Sequence, residues 1–313
     1  MFKSVISAPC LKSKIRPAIR LSATIFTVAF LHPTAKADEP PALTSTNSAV
    51  IAALSASPFG WLDRRSAYFQ DAFPEPLLVD DTSLEEGEME FGFMHTQTSQ
   101  QQSDVITAGA QESFGLLTGE VEVPFERNSD AGQVSRGIGS IDVSARYPIW
   151  QYVTTGGFFD TTFGVGMEVG IPVNSVDGSN TEMTPKLFND LKLGGHFTFQ
   201  SVFGYSTLLG GGENGGVQTF EYGLVLGYAI PHSELPLPWI RQVTPLFELA
   251  GEMTLNKDEA GQNDLPASLG FRVDFRRIGE VESSVALGFI FPTDSATRDE
   301  LHWGIVTGIT VGF

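Results

Sequence analysis

Any chemistry in this chain has to come mainly from carboxylates. Glu88, Glu90, Glu120, Glu122, Asp142, Asp160, Glu168, Asp190, Glu221, Glu248, Glu252, Asp274 and Glu282 stand at positions that alternate with apolar residues. Arg146, Lys192, Arg272 and Arg276 share the alternation. Acids outnumber bases about three to one in this set. Charges set against a low-dielectric wall are costly unless paired or hydrated. Pairing cannot satisfy all of these, so the pattern predicts a hydrated, acidic passage that favours cations or polar solutes. The alternative is a salt-bridged filling that braces the fold.

Nucleophilic chemistry has little support. It needs a nucleophile and a base within reach of each other. Beyond residue 37 the histidines are His95, His196, His232 and His302, and none stands in a His-x-Ser or Gly-x-Ser-x-Gly setting. His95 and His302 read as rim or lumen groups. The acidic stretch Asp258 to Asp264, DEAGQND, lacks the ligand spacing of a calcium loop. No phosphate-cradling loop, zinc spacing or redox motif occurs, so neither a cofactor nor a metal is expected.

The elements that must position these carboxylates are strands. Successive side chains of a strand point to opposite faces. In FFDTTFGVGMEVGIPV, Phe159, Thr161, Phe163, Val165, Met167, Val169 and Ile171 oppose Asp160, Thr162, Gly164, Gly166, Glu168 and Gly170. FEYGLVLGYAI sets Phe220, Tyr222, Leu224, Leu226 and Tyr228 against Glu221, Gly223, Val225 and Gly227. The pattern recurs over 86–97, 104–114, 119–127, 137–148, 157–173, 186–196, 199–209, 217–230, 242–255, 265–276, 281–291 and 300–313. Residues 186–209 read as either two strands or one long one. One face is nearly pure Phe, Val, Leu and Ile, and the other is rich in glycine and carboxylate. A sandwich also hides an apolar face, but its charges look at water. Apolar outward and polar inward is the arrangement of a membrane barrel. The predicted fold is all-β: a closed, antiparallel transmembrane β-barrel of about 12 strands with a short N-terminal extension. Inward glycines on several strands leave space for water in its lumen. Tyr147, Trp150, Tyr152, Tyr228, Trp239 and Trp303 fall near strand ends, where an aromatic girdle sits.

The first 37 residues have the three-part layout of a secretory signal peptide. Lys3, Lys12, Lys14, Arg16 and Arg20 precede the apolar run Leu21 to Leu31, and Ala35-Lys36-Ala37 follows. The run is too short to span a bilayer, which takes about 20 residues. Cleavage after Ala37 also removes Cys10, the only cysteine, so no disulfide is expected. It takes away six of the 19 basic residues and none of the 37 acidic ones, leaving a net charge of −24. Nucleic acid binding, which needs a basic surface, is excluded on that ground. Residues 38–84 form a separate region, read as a periplasmic linker leading to the first strand or as a small plug, with the leader preferred. Residues 85–313 form the barrel. If the first strand leaves the periplasm, the polar connections at 98–103, 128–136, 174–185, 210–216, 256–264 and 292–299 lie outside.

The closing strand LHWGIVTGITVGF carries Ile305, Ile309, Val311 and Phe313 on one face. A terminal Phe preceded by alternating apolar residues resembles the C-terminal signature of bacterial outer-membrane proteins. The resemblance implies that Phe313, Val311 and Ile309 form a signal read by the barrel assembly machinery, and that the chain sits in outer-membrane lipid. Three further pieces resemble the family named for the MetA pathway of phenol degradation, a set of transporter-like outer-membrane barrels. They are Phe114 to Phe125 (FGLLTGEVEVPF), Gly137 to Ile149 (GIGSIDVSARYPI) and Gly170 to Ser179 (GIPVNSVDGS). Ser140 stands where that family usually has Asp, and Gly178 is displaced from its expected place. The resemblance spans about residues 105–313 and implies a route for small hydrophobic or aromatic compounds across the outer membrane, with the solute itself unspecified. The expectation is therefore a non-enzymatic, porin-like channel or transporter. The alternatives are a non-conducting structural or adhesive barrel and, less favoured, a lipid-modifying enzyme.

Overall fold

In the computed structural model the described residues are 73–80, 82, 87–99, 101–130, 133–154, 158–173, 180–210, 215–257, 260–279 and 281–313. The signal-peptide reading of residues 1–37, and the leader as far as residue 72, lie outside them. So does part of the acidic stretch 258–264.

The alternating segments form strands β1 (Glu88–Gln97), β2 (Gln101–Phe114), β3 (Leu117–Asp130), β4 (Gln133–Ile138), β5 (Ile141–Val153), β6 (Phe159–Ile171), β7 (Thr181–Leu193), β8 (Phe197–Leu209), β9 (Gln218–Tyr228), β10 (Ile230–Pro231), β11 (Ile240–Thr254), β12 (Asn263–Asp264), β13 (Pro266–Phe275), β14 (Glu282–Pro292) and β15 (Trp303–Gly312). Twelve of them close into an antiparallel barrel. The circuit runs β1-β2-β3-β5-β6-β7-β8-β9-β11-β13-β14-β15 and returns to β1, with Glu88 opposite Gly312 at the seam. Closure removes every sheet edge from the circuit. The short strands β4, β10 and β12 extend single hairpins.

The structure departs from the sequence reading at 128–136 and settles the open reading at 186–209. Residues 128–136 are not a loop: β3 runs on to Asp130 and pairs with β4, so a hairpin projects past the main circuit. Residues 186–209 resolve as two strands, because Gly194 and Gly195 take positive φ (62° and 80°), a turn that glycine enters without a Cβ penalty.

The faces follow the alternation. Phe91, Phe93, Ile106, Phe125, Phe163, Leu187, Phe203, Leu226, Leu269, Phe289, Ile305 and Ile309 are all exposed on the outer wall. Glu88, Glu122, Asp142, Arg146, Asp160, Glu168, Asp190, Glu248, Arg272 and Asp274 are buried. This inverts the usual distribution, in which charged side chains face water. Aromatic rings collect at the end that carries both barrel termini. Trp150 stacks on Tyr152 at 6.1 Å, Trp239 on Phe275 at 5.9 Å, and Phe197 meets Tyr228 edge-on at 4.9 Å. Phe313 is exposed at this end, and its N–H donates to the Gly87 carbonyl at 3.0 Å.

Candidate functional site

The interior is not an open acidic tube. Leu77, Leu78 and Val79 lie inside it, almost fully buried, in one apolar cluster with Val202, Val225, Leu246, Ala250, Ile290 and Val306 of the wall. A strap of residues 73–80 and 82 therefore enters the lumen. Three strands make room for it. A Cβ on Gly223 would stand 2.2 Å from a Val79 methyl, and one on Gly270 or Gly288 would stand 2.8 Å from a Leu77 methyl. The inward glycines expected to leave space for water thus give it, on β9, β13 and β14, to the strap.

Polar groups fix the strap at three places. At the middle of β11, the wholly buried Glu248 accepts three consecutive strap N–H groups: Leu77 at 2.8 Å, Leu78 at 2.6 Å and Val79 at 3.3 Å. They satisfy backbone donors that have no strand partner. Nearer the barrel termini, Glu75 pairs with Arg272 and accepts from the Thr310 hydroxyl at 2.5 Å. Arg272 also donates to Asp274 at 2.9 Å. Across the lumen, Lys186 of β7 bridges Asp80 of the strap (2.6 Å) and Glu168 of β6 (2.5 Å). Thr82 donates to Asp190 at 2.5 Å and accepts from Gln200 at 3.3 Å. The strap thus spans from β13 and β15 on one side to β7 and β8 on the other.

Beside it a small cavity of about 50 Å³ remains. Its wall includes Glu90, Glu120, Glu122, Asp142, Ser144, Arg146, Glu168 and Lys186, and Glu75, Val79, Asp80 and Thr82 of the strap close the other side. Arg146 is its central cation, 3.6 Å from Glu120 and bonded to the Gln111 carbonyl, while the Gln111 amide donates to Glu88 at 2.5 Å.

The residues singled out by sequence distribute as follows. Glu88, Glu90, Glu120, Glu122, Asp142, Arg146 and Glu168 surround or adjoin the cavity. Glu248, Arg272, Asp274 and Asp190 grip the strap or support the residues that do. Glu221 and Glu252 stand opposite each other, with Asp264 opposite Glu252, at the end away from the barrel termini. Asp160 faces Lys192 across β6 and β7. Glu282 sits near the barrel termini, 3.1 Å from Arg241 and 2.7 Å from Arg277. Arg276 is exposed in the turn beyond β13, outside the lumen, because the strand ends one residue earlier.

Sequence reading missed Lys186 and the strap residues Glu75, Asp80 and Thr82. A signal for the strap was present. Leu77-Leu78-Val79 is an apolar triplet between the acidic residues Glu75 and Asp80, and the inward faces of β9, β11, β14 and β15 hold Val225, Leu246, Ile290 and Val306 where a water-filled lumen calls for polar groups.

The histidines are tied into framework contacts. His196 and His232 donate through Nδ1 to the Ala229 and Ile240 carbonyls (2.8 and 3.0 Å), and His95 Nδ1 lies 2.7 Å from Asp104. His302 is exposed, and its backbone N–H donates to the Gln97 carbonyl at 2.8 Å.

No family model matches the chain, and no curated protein does. Among solved structures it is similar to the COG4313 outer membrane channel from Pseudomonas putida F1, at 11% identity and a TM-score of 0.51, covering 80% of this chain and 100% of that one. It also matches the NanC porin (11% identity, TM-score 0.44, 72% and 98% covered) and the KdgM porin (12%, 0.39, 72% and 99%). At such identity the first likeness speaks for the fold: a closed barrel of the kind seen in outer-membrane channels.

Proposed function

We propose that this protein is an outer-membrane channel whose lumen is partly closed by its own N-terminal strap, leaving a narrow acidic passage for small cationic or polar solutes. One observation carries the reading. The strap crosses the lumen on discrete polar anchors and leaves a cavity lined by Glu120, Glu122, Asp142 and Glu168. The apolar outer belt supports placement in a bilayer, the exported start of the sequence supports the outer membrane, and the channel names of the structural neighbours agree. The resemblance to the MetA-pathway family adds aromatic compounds as a candidate solute class. An amine-bearing aromatic combines both signals. The apolar filling of the opposite half favours a second reading, a non-conducting structural or adhesive barrel.

Single-channel recording of the mature chain in a planar bilayer separates the two. Small steps with a cation-favouring reversal potential, growing when residues 73–82 are deleted, are the expected result. A barrel that inserts and stays silent with and without the strap would sink the channel reading and leave the structural one.

A further inference from the structure

The outer wall carries one charged row whose position the lumen does not explain. The strand register aligns His95 with Asp104, Asp104 with Arg127, and Arg127 with Arg136 across β1, β2, β3 and β4. The next outward row towards the barrel termini is Phe93, Ile106, Phe125 and Ile138, all exposed. The charged row therefore borders the apolar belt at the end away from the termini. Trp303 marks the same level, its ring 5.3 Å from that of His95. Tryptophan favours the headgroup region of a membrane.

Within the row Asp104 is shared. One carboxylate oxygen lies 2.7 Å from His95 Nδ1, and the other accepts from Arg127 at 2.7 Å. Arg127 is nevertheless half exposed, and Arg136, directly opposite it, is exposed too. Like charges directly opposite on a sheet repel. Two guanidinium groups on directly opposed residues, about 5 Å apart at Cβ, can both bond one phosphate, and arginine's planar fork matches phosphate geometry. One acid against two arginines and a histidine leaves the row positive in a chain that is strongly acidic overall.

We propose that Arg127 and Arg136, flanked by His95 and Trp303, form a site on the outer wall for a phosphate group of an outer-leaflet glycolipid. The assignment to the outer leaflet rests on the membrane-channel reading and on the rule that the end with the shorter turns faces the periplasm. Of the connections at that end, 115–116, 154–158, 194–196 and 276–281 are short and 229–239 is long, whereas 172–180, 210–217, 255–265 and 293–302 at the other end, where the charged row lies, are all longer than the four short ones.

The test is native mass spectrometry of the full mature chain released from nanodiscs. These contain bisphosphorylated lipid A, dephosphorylated lipid A and phosphatidylglycerol in equal amounts. Wild type is expected to retain bisphosphorylated lipid A over the other two. Arg127→Gln with Arg136→Gln should lower that retention roughly tenfold or more, given the ordinary worth of two interfacial cations. Asp104→Asn, which frees Arg127, should raise it. Both arginines are surface groups, and resistance of the barrel to detergent denaturation confirms that the variants fold. Equal retention of all three lipids, preference for phosphatidylglycerol, or an unchanged profile in the double variant would overturn the site. Failure of the wild-type chain to enter nanodiscs would overturn the membrane reading and this site with it, which distinguishes the two failures.

Discussion

The two halves of the lumen are built on opposite rules. The wall from β8 to β15 turns Val202, Val225, Leu246, Ile290 and Val306 inward and spaces them with glycine, as the core of a soluble protein does. Two of its acids, Glu248 and Asp274, are committed: one to three strap N–H groups, the other to Arg272. The wall from β3 to β7 turns Glu120, Glu122, Asp142 and Glu168 inward around Arg146 and Lys186, and keeps a cavity. The first half is built as a socket; on the channel proposal the second is the passage. A barrel of twelve strands is wider than those that side chains fill completely, and this chain fills part of that width with a segment of its own leader. On the channel proposal, permeability depends on how firmly the socket holds the strap.

The largest expected effect is removal of the strap. Deleting residues 73–82 should convert small conductance steps into steps several times larger and expose the socket to water, measurable by single-channel recording. Next comes Glu248→Ala. It leaves three buried N–H groups without an acceptor, at about 1–3 kcal/mol for each. Even the lower figure, about 3 kcal/mol in total, shifts the balance between seated and released strap by more than a hundredfold. Frequent openings should replace a steady closed level, and protease should cut the strap faster than in wild type. If Glu248→Ala conducts and resists proteolysis as wild type does, the socket is not held at this point.

Smaller effects should follow from the flanks. Glu75→Gln weakens the contact with Arg272 but leaves Asp274 beside that guanidinium, so a loss of about 1.5–3 kcal/mol is expected. Gly223→Val sets a side chain against Val79 and should loosen the strap by about 1–3 kcal/mol, the usual cost of overpacking. Both variants should raise open probability less than Glu248→Ala does. Hydrogen exchange at the Leu77 and Leu78 amides reads the same ranking independently of conduction.

The barrel was legible because period-two alternation is a local signal that repeats along the chain. The observed strands differ from the expected ones by a few residues at most ends, apart from the β3–β4 hairpin and the early start of β7 at Thr181. That hairpin was hidden because Asn128 to Arg136 is polar on both faces, as suits a projection past the belt. The acidic lining was legible for the same reason as the strands. The strap was not, since its residues sit more than 160 positions from Glu248 and follow no period of their own. Glu248 looked like one more lumen carboxylate, although its inward neighbours Leu246 and Ala250 are apolar. A charge alone among apolar inward residues is the mark of a specific partner, because leaving it unpaired there is costly. Lys186 escaped notice because Pro185 beside it weakens the strand pattern, yet it is the cation that joins strap and passage.

The smallest expected change is confined to the passage and tests whether the halves are separable. Glu122 and Asp142 stand directly opposite each other on β3 and β5, buried, on the wall of the cavity. Replacing them by Gln and Asn keeps their volume and removes two negative charges. Each cation in the passage then loses part of the attraction that offsets its dehydration, while the socket is untouched. The reversal potential in a salt gradient should move towards zero with little change in step size or open probability. A change in open probability of the size seen for Glu248→Ala would mean that the acidic half also holds the strap, and that gating and selectivity share one set of residues.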